Sequence, residues 1–139
     1  MSKANSSPVL RVALCGSFRR DPEGLSRSYR ELVRNQCQVL SPRSLSFEDN
    51  STLFVKHAVE EGDDAGVIER HHLQAIALSD FVWVHAPDGY IGTSAAMEVG
   101  YAFGKGTPIF SDHIPNDEMF KHFVTFVPSV FAAIEQLQT

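Results

Sequence analysis

The sequence predicts a single α/β domain in which helices cover both faces of a mostly parallel, five-stranded sheet. Three observations support this doubly wound architecture. Short apolar runs alternate with helical patterns, the runs are continuous rather than alternating, and 139 residues suit one compact core. We expect the polar residues 1–8 to form a disordered tail, with the domain spanning residues 9–139.

Composition restricts the classes of partner. A net charge of -5 argues against binding to a nucleic acid polymer. No apolar run reaches membrane-spanning length, and the first residues lack the apolar segment of a signal peptide. Cys15 and Cys37 are expected to be small buried apolar residues in a reducing, cytoplasmic environment.

The first strand, expected over residues 9–14, leads into a polar turn with the sequence CGSFRR. This turn offers Gly16, Ser17, Phe18 and Arg19 to an anionic ligand, since backbone amides, a hydroxyl and a guanidinium can all donate to phosphate oxygens. The alternative is an ordinary turn with solvated arginines. Asp21 then suits a helix N-cap, followed by Pro22. The apolar stripe of this helix is Leu25, Tyr29, Leu32 and Val33.

The middle of the chain is predicted to contain a second strand and two helices. The strand covers residues 39–40, and a loop, a short helix and an acidic linker follow over residues 43–50, 51–59 and 60–64. The next helix, over residues 67–79, has Ile68, Ala75 and Ile76 on its inner face together with His72. His72 is either a core histidine or a site residue. Adjacent His71 and His72 cannot chelate one metal, and no other spacing resembles a zinc site, so no metal or cofactor is expected.

The central stretch, residues 80–111, combines a strand, a glycine-containing loop and a closely packed helix. The strand over residues 81–84 ends at Pro87, Asp88 and Gly89, and Thr93 or Ser94 is expected to cap the following helix. A further strand is predicted over residues 108–110. In an open α/β sheet, the crevice at the carboxyl ends of the strands is where ligands bind.

Glu98 is unusual within that helix. It misses the spacing of a capping box from Ser94 by one residue, and position 102 supplies no cation. It is therefore either a functional carboxylate among small and aromatic residues or a solvated charge near a helix N-terminus.

The last part of the chain completes the alternation. Residues 112–121 are predicted to form a mobile flap or a loop at a dimer edge, and residues 123–127 a fifth strand. The apolar stripe of the final helix is Val130, Phe131, Ile134 and Leu137.

Three motifs in this order resemble a known family. CGSFR, SDFVWV and GTSAAMEVGYAFGKGTPIF are similar to motifs of the nucleoside 2-deoxyribosyltransferase-like proteins, which include nucleoside 5'-monophosphate N-glycosidases. The likeness covers residues 9–110. It implies a Rossmann-like, flavodoxin-like domain, a nucleoside or nucleotide as the small-molecule ligand, and assembly as a homodimer or higher homo-oligomer.

The resemblance also implies roles for individual residues. Glu98 corresponds to the nucleophile that attacks the anomeric carbon of the sugar. Ser17 and Arg19 match the turn that holds the 5'-phosphate, and Thr93 and Ser94 would complete that pocket. The residues expected to line the sugar or base are Asp88, Gly89 and Tyr90.

Two positions depart from the family pattern. Ala13 stands where the family usually has a tyrosine that orients the nucleophile, and His72 stands in place of an aspartate. Histidine can act as a general acid near neutral pH, so His72 is a plausible catalytic replacement. Tyr29 or Tyr90 could supply the missing phenol.

The expected function is hydrolysis of the N-glycosidic bond of a (deoxy)nucleoside 5'-monophosphate through Glu98. A deoxyribosyltransferase that exchanges bases is the first alternative. A nucleotide-binding regulatory module without activity is the second, and the changes at Ala13 and His72 motivate it.

Overall fold

The computed structural model describes residues 8–16, 18–43, 45–46, 54–55 and 64–139. The strands in these ranges are β1 Arg11–Gly16, β2 Gln38–Ser41, β3 Leu45–Ser46, β4 Phe54–Val55, β5 Phe81–His85, β6 Ile109–Ser111 and β7 Thr125–Phe126. The helices are α1 Pro22–Arg34, α2 Ala65–Leu78, α3 Thr93–Gly104 and α4 Val130–Leu137.

The main sheet has five strands in the order β2-β1-β5-β6-β7, and every neighbouring pair is parallel. This confirms the predicted α/β class and the doubly wound, Rossmann-like arrangement. The expectation of a mostly parallel sheet is met by one that is parallel throughout.

Side chains that alternate along the central strands divide the core into two layers. Leu14 and Trp83 pack on one face with residues of α1 and α4. Cys15 and Val84 point to the other face, where residues of α2 and α3 cover them. Both layers are buried, which is why the strands read as continuous apolar runs in the sequence.

The ligand crevice expected in such a fold lies between β1 and β5, because the connections from these two strands leave in opposite directions. The register pairs Gly16 with His85 at the carboxyl ends of the two strands. Gly16 has φ +148°, and a Cβ there would overlap the His85 carbonyl oxygen. Glycine is therefore required at the end of β1 for this close approach.

A small antiparallel pair replaces two of the predicted elements. Residues 45–46 and 54–55 form β3 and β4, so the prediction of a loop over 43–50 and a helix over 51–59 is wrong at these positions. The aromatic and β-branched pair Phe54 and Val55 favours the extended conformation. Apart from Arg43, the rest of both predicted elements, and the acidic linker before Asp64, lies outside the described residues. Asp64 itself caps α2, accepting from the Val67 N–H at 2.8 Å.

The strand boundaries also differ from the prediction. β1 begins at Arg11 rather than residue 9 and runs on to Gly16, because its ladder with β5 extends to that residue. The predicted fifth strand is confined to Thr125–Phe126. Its expected start is taken up by a turn, in which the N–H groups of Phe123 and Val124 donate to the Phe120 carbonyl.

The apolar stripes predicted for α1 and α4 pack in the core, with two exceptions. Asp21 caps α1 as expected, accepting from the Gly24 N–H at 3.1 Å. Val33 and Phe131 are exposed rather than buried, since each lies about 100° around its helix from a buried neighbour. Within the described residues, no helix has the length and apolar character needed to cross a bilayer.

Candidate functional site

Two loops meet at the crevice between β1 and β5. The Arg20 guanidinium lies over the Tyr90 ring, 3.9 Å from its centroid, so the turn after β1 contacts the loop after β5. Cation–π contact of this kind is worth about 0.5–1 kcal/mol at exposed sites. Tyr90 was expected to line the site, and the structure brings it to this junction.

The loop after β5 holds an unusual backbone. Asp88 has φ 53° and its side chain is exposed, while Gly89 is buried with φ 82°. A Cβ on Gly89 would lie 2.6 Å from the Ile114 carbonyl oxygen, and the Asn116 N–H donates to the Gly89 carbonyl at 2.9 Å. The predicted loop over residues 112–121 therefore packs against the candidate site; its mobility stays a prediction.

The N-terminus of α3 differs from expectation. Its N-cap is Gly92, and both Thr93 and Ser94 lie within the first turn, so the prediction that one of them caps the helix is wrong. Gly92 sits beneath Tyr90, whose hydroxyl oxygen would be 3.2 Å from a Cβ there. The described cap makes no side-chain hydrogen bond, and Thr93 and Ser94 are exposed beside it.

Glu98 is buried, with 5 % of its surface exposed, so the alternative of a solvated charge is wrong. Its side chain points from α3 toward α2, where Oε1 lies 3.4 Å from Nε2 of His72. His72 is equally buried. The structure thus brings together the two residues that the sequence singled out as catalytic.

His72 makes two further contacts with strand ends. Its Nδ1 lies 2.6 Å from the Ser41 hydroxyl oxygen at the end of β2, and its Nε2 lies 3.4 Å from Sγ of Cys15 near the end of β1. With the proton on Nε2, the ring donates toward Glu98 while the Ser41 hydroxyl donates to Nδ1. The ring is held from both sides.

Glu69 adds a second carboxyl group that the sequence reasoning missed. Burial, together with the hydrogen bond to Glu98 and its charge, raises the pKa of Glu69 to about 8. Glu69 precedes His72 by three residues on α2, which places both on one helix face. That spacing is the signal that could have revealed it.

The neighbours of Glu98 also determine its ionisation. Burial raises the pKa of Glu98, but the hydrogen bond and charge of His72, with hydrogen bonds from Glu69 and Cys15, outweigh it and lower the pKa below its ordinary value. Burial, followed by the charge of Glu98, raises the pKa of the Cys15 thiol well above its ordinary value. At neutral pH the cluster therefore holds an ionised Glu98, a protonated Glu69 and a neutral thiol.

The same cluster contains potential metal ligands. The ligand atoms of Cys15, His72 and Glu98 all lie within 4.8 Å of one another, and all three residues are buried. Sequence spacing could not suggest this set, because its members come from β1, α2 and α3. The prediction that Cys15 is buried is confirmed, although a histidine lies beside it.

A second polar cluster lies on the opposite face of the sheet. Nε2 of His85 is 3.0 Å from Oδ2 of Asp21, and its Nδ1 is 3.4 Å from the Ser28 hydroxyl oxygen. His85 and Ser28 line a cavity of about 590 Å³. Other residues lining it are Arg27, Arg34, Asp112 and His113. The sequence reasoning did not identify His85.

The remaining candidates are distributed around the crevice. Phe18 is half-buried and packs against the core layer of α1 and α4, which gives it a structural role that was not predicted. Arg19 is exposed in the turn after β1. Ser17 lies outside the described residues.

No protein-family model matches the chain, and no curated protein is significantly similar to it. The functional interpretation therefore depends on the motifs and on the geometry of the residues around Glu98.

Proposed function

We propose that the protein hydrolyses the N-glycosidic bond of a (deoxy)nucleoside 5'-monophosphate, with Glu98 as the nucleophile. The observation that supports this most is the buried, ionised carboxylate of Glu98, whose Oε1 lies 3.4 Å from Nε2 of His72 beside the carboxyl edge of the sheet. A carboxylate held in this way can stabilise an oxocarbenium-like transition state and form a glycosyl ester.

In the proposed first step, a Glu98 oxygen attacks C1' of the sugar. The bond from C1' to the base nitrogen breaks and its electron pair goes to the base, while the imidazolium form of His72 delivers its Nε2 proton to the leaving base and becomes neutral. In the second step, water attacks C1' and the ester bond to Glu98 breaks. His72 then recovers a proton from the attacking water.

The surroundings of Glu98 suit this role. Its hydrogen bonds from Cys15 and Glu69 favour the ionised form and restrict its orientation. Ser41 fixes the His72 ring through Nδ1. In the proteins that the sequence resembles, a tyrosine at the position of Ala13 orients the nucleophile. We propose that Cys15, Glu69 and Ser41 take over this role here.

The proposed phosphate pocket combines two backbone features at the crevice. Gly16, Ser17 and Arg19 would contact the phosphate from the turn after β1. Thr93 and Ser94 would contact it from the first turn of α3, where amide groups favour an anion. Asp88 and Tyr90 would then face the sugar or the base.

The proposed active form is a homodimer or higher homo-oligomer. Met97 and Phe103 on α3 and Met119 in the segment after β6 are large apolar side chains that are at least half exposed. Large exposed apolar side chains of this kind are available for a subunit contact.

The direct test incubates the protein with a panel of nucleoside monophosphates and detects free base by chromatography. We expect Glu98→Gln to abolish base release while nucleotide binding remains measurable. Glu135→Gln, which removes an exposed carboxylate on α4, is the matched control and should retain turnover. Unchanged turnover in Glu98→Gln would contradict the nucleophile assignment.

The same assay separates the alternatives. If base exchange occurs with an added free base and no net sugar is released, the protein is a transferase. If a nucleotide binds and no base is released from any member of the panel, the regulatory module is favoured.

A further inference from the structure

We propose that Cys15, His72 and Glu98 form a site for a divalent transition metal, with Zn²⁺ as its best fit. The three residues come from three different elements, and their ligand atoms lie within 4.8 Å of one another in a buried part of the fold. Thiolate, imidazole and carboxylate are the three side-chain ligand types of protein zinc sites.

Two of the three ligand distances already match those around an ion. Nε2 of His72 lies 3.4 Å from Sγ of Cys15 and 3.4 Å from Oε1 of Glu98. With Zn–S of roughly 2.3 Å and Zn–N and Zn–O of roughly 2.0–2.2 Å, neighbouring ligands of a tetrahedral ion lie about 3.3–3.6 Å apart. Nε2 of His72 therefore needs little movement relative to Sγ of Cys15 or Oε1 of Glu98 to bind the same ion.

Glu69 is the proposed fourth ligand. It lies one helical turn before His72 on α2, on the same face of the helix. Its Oε2 is buried and has no hydrogen-bond partner among the described residues. An ion beside Glu98 would give that oxygen a partner, and the Glu-x-x-His spacing on one helix is also used by metal sites in helical bundles.

Ser41 orients the imidazole for this purpose. When Nε2 binds a metal, Nδ1 carries the proton and donates it to the Ser41 hydroxyl oxygen, which is 2.6 Å away. Such an outer contact fixes the ring and increases metal affinity. The sulfur ligand favours Zn²⁺ over Mg²⁺ or Ca²⁺, which prefer oxygen ligands.

Metal binding would also regulate the proposed reaction. This regulatory effect rests on the proposed function. An ion bound to Glu98 occupies the oxygen that would attack the sugar, so Zn²⁺ should inhibit base release and a chelator should restore it. Binding of the ion does not depend on any activity.

The test titrates the chelator-treated full chain with Zn²⁺ in competition with a chromogenic chelator. We expect one Zn²⁺ per chain, undiminished by excess Mg²⁺, with affinity reduced at least about tenfold in Cys15→Ser and in Glu69→Gln. Cys37→Ser is the matched control, because Cys37 is a buried cysteine in the other core layer. It should bind as tightly as the wild type.

Substitution with Co²⁺ reports the sulfur ligand directly. A thiolate-to-cobalt charge-transfer band should appear in the near ultraviolet for the wild type and for Cys37→Ser, and be absent in Cys15→Ser. Glu69→Gln changes a partly exposed residue, so it keeps the test valid if Cys15→Ser fails to fold.

Zn²⁺ binding that is absent, or unaffected by both Cys15→Ser and Glu69→Gln, would overturn the proposal. Zn²⁺ binding to a chain that releases no base even after the metal has been removed would leave this metal site standing and remove the proposed function. Base release without Zn²⁺ binding would support the proposed function and overturn the metal site.

Discussion

Nε2 of His85 lies 3.0 Å from Oδ2 of Asp21, a residue 64 positions earlier that also caps α1. Burial lowers the pKa of His85, and the opposing hydrogen bond and charge of Asp21 do not restore it. Burial also raises the pKa of Asp21, but the Gly24 N–H and His85 outweigh it and lower the pKa. A neutral ring that donates to an ionised carboxylate therefore joins β5 to the start of α1.

This pair predicts a loss of stability in mild acid. The pKa of His85 is lower in the folded chain than in the unfolded chain, where it is about 6.5. As the pH falls below about 6.5, the unfolded chain binds the proton first, and the free energy of unfolding decreases.

Urea denaturation of the wild type and of His85→Gln between pH 7.5 and pH 5 measures this contribution. The difference in free energy of unfolding between the two proteins should shrink as the pH falls. A difference that does not change with pH would contradict the assignment of a neutral, buried His85.

Gly24 is predicted to resist substitution even though it lies in a helix. A Cβ there would overlap Oδ2 of Asp21 and lie 2.7 Å from two atoms of the His85 ring. Gly24→Ala should therefore lower the free energy of unfolding by about 1 kcal/mol or more, since it disturbs both the cap and a buried contact.

Gly100→Ala provides the matched control on α3. No atom of the described residues lies within 4 Å of a Cβ at Gly100, so the higher helix propensity of alanine should stabilise the protein by up to about 1 kcal/mol. Opposite signs in the two denaturation experiments are expected. Stabilisation by both substitutions would show that the Asp21–His85 contact tolerates displacement.

The raised pKa of Glu69 predicts a pH dependence of the free energy of unfolding with the opposite sign. Its pKa is about 8 in the folded chain, against an ordinary value of 4.5, so the folded chain binds more protons between these two values. The free energy of unfolding should decrease as the pH rises through this window, because two carboxylates are then ionised side by side.

Glu69→Gln should remove this decrease, since the amide stays neutral and still donates to Glu98. Relative to the wild type, the variant should gain stability from pH 5 to pH 9 in chemical denaturation. Parallel pH curves for the two proteins would mean that Glu69 does not share a proton with Glu98.

Arg19 predicts selectivity for the phosphate of the proposed substrate. Arg19→Ala should weaken binding of nucleoside monophosphates far more than binding of free nucleosides, as measured by calorimetry. Arg11→Ala is the control, because Arg11 pairs with Asp80 at the opposite edge of the sheet. Equal weakening of both ligand classes in Arg19→Ala would remove the phosphate assignment.

The layered fold could be predicted because its strands are buried on both faces. Phe81 to Val84 and Val12 to Cys15 form unbroken apolar runs, and such runs separated by helical patterns leave few architectures open. The cap at Asp21 followed from its own local sequence. The short strands β3 and β4 could not be predicted, because each exists only through pairing with the other.

The candidate site was predictable only in part, for a similar reason. Glu98 and His72 were identified through motif position and helix face, and they meet in the fold. Ser41 and Cys15 became visible only when β1, β2, α2 and α3 packed together, since contact distances depend on neighbours that are distant along the chain. The spacing of Glu69 from His72 was a local signal, but the raised pKa of Glu69 depends on Glu98 in another helix. The cap of α3 was missed because the helix begins after Gly92, which has no side chain to signal a cap.

Trp83 is the only tryptophan of the chain and is fully buried. It lies in the core layer of α1 and α4, whereas Glu98 and its neighbours lie on the other face of the sheet. Its emission should therefore be blue-shifted in the native protein and move to longer wavelength on denaturation. A substitution near Glu98 that leaves this emission spectrum unchanged has preserved the fold. A single fluorescence measurement therefore distinguishes loss of activity from loss of structure.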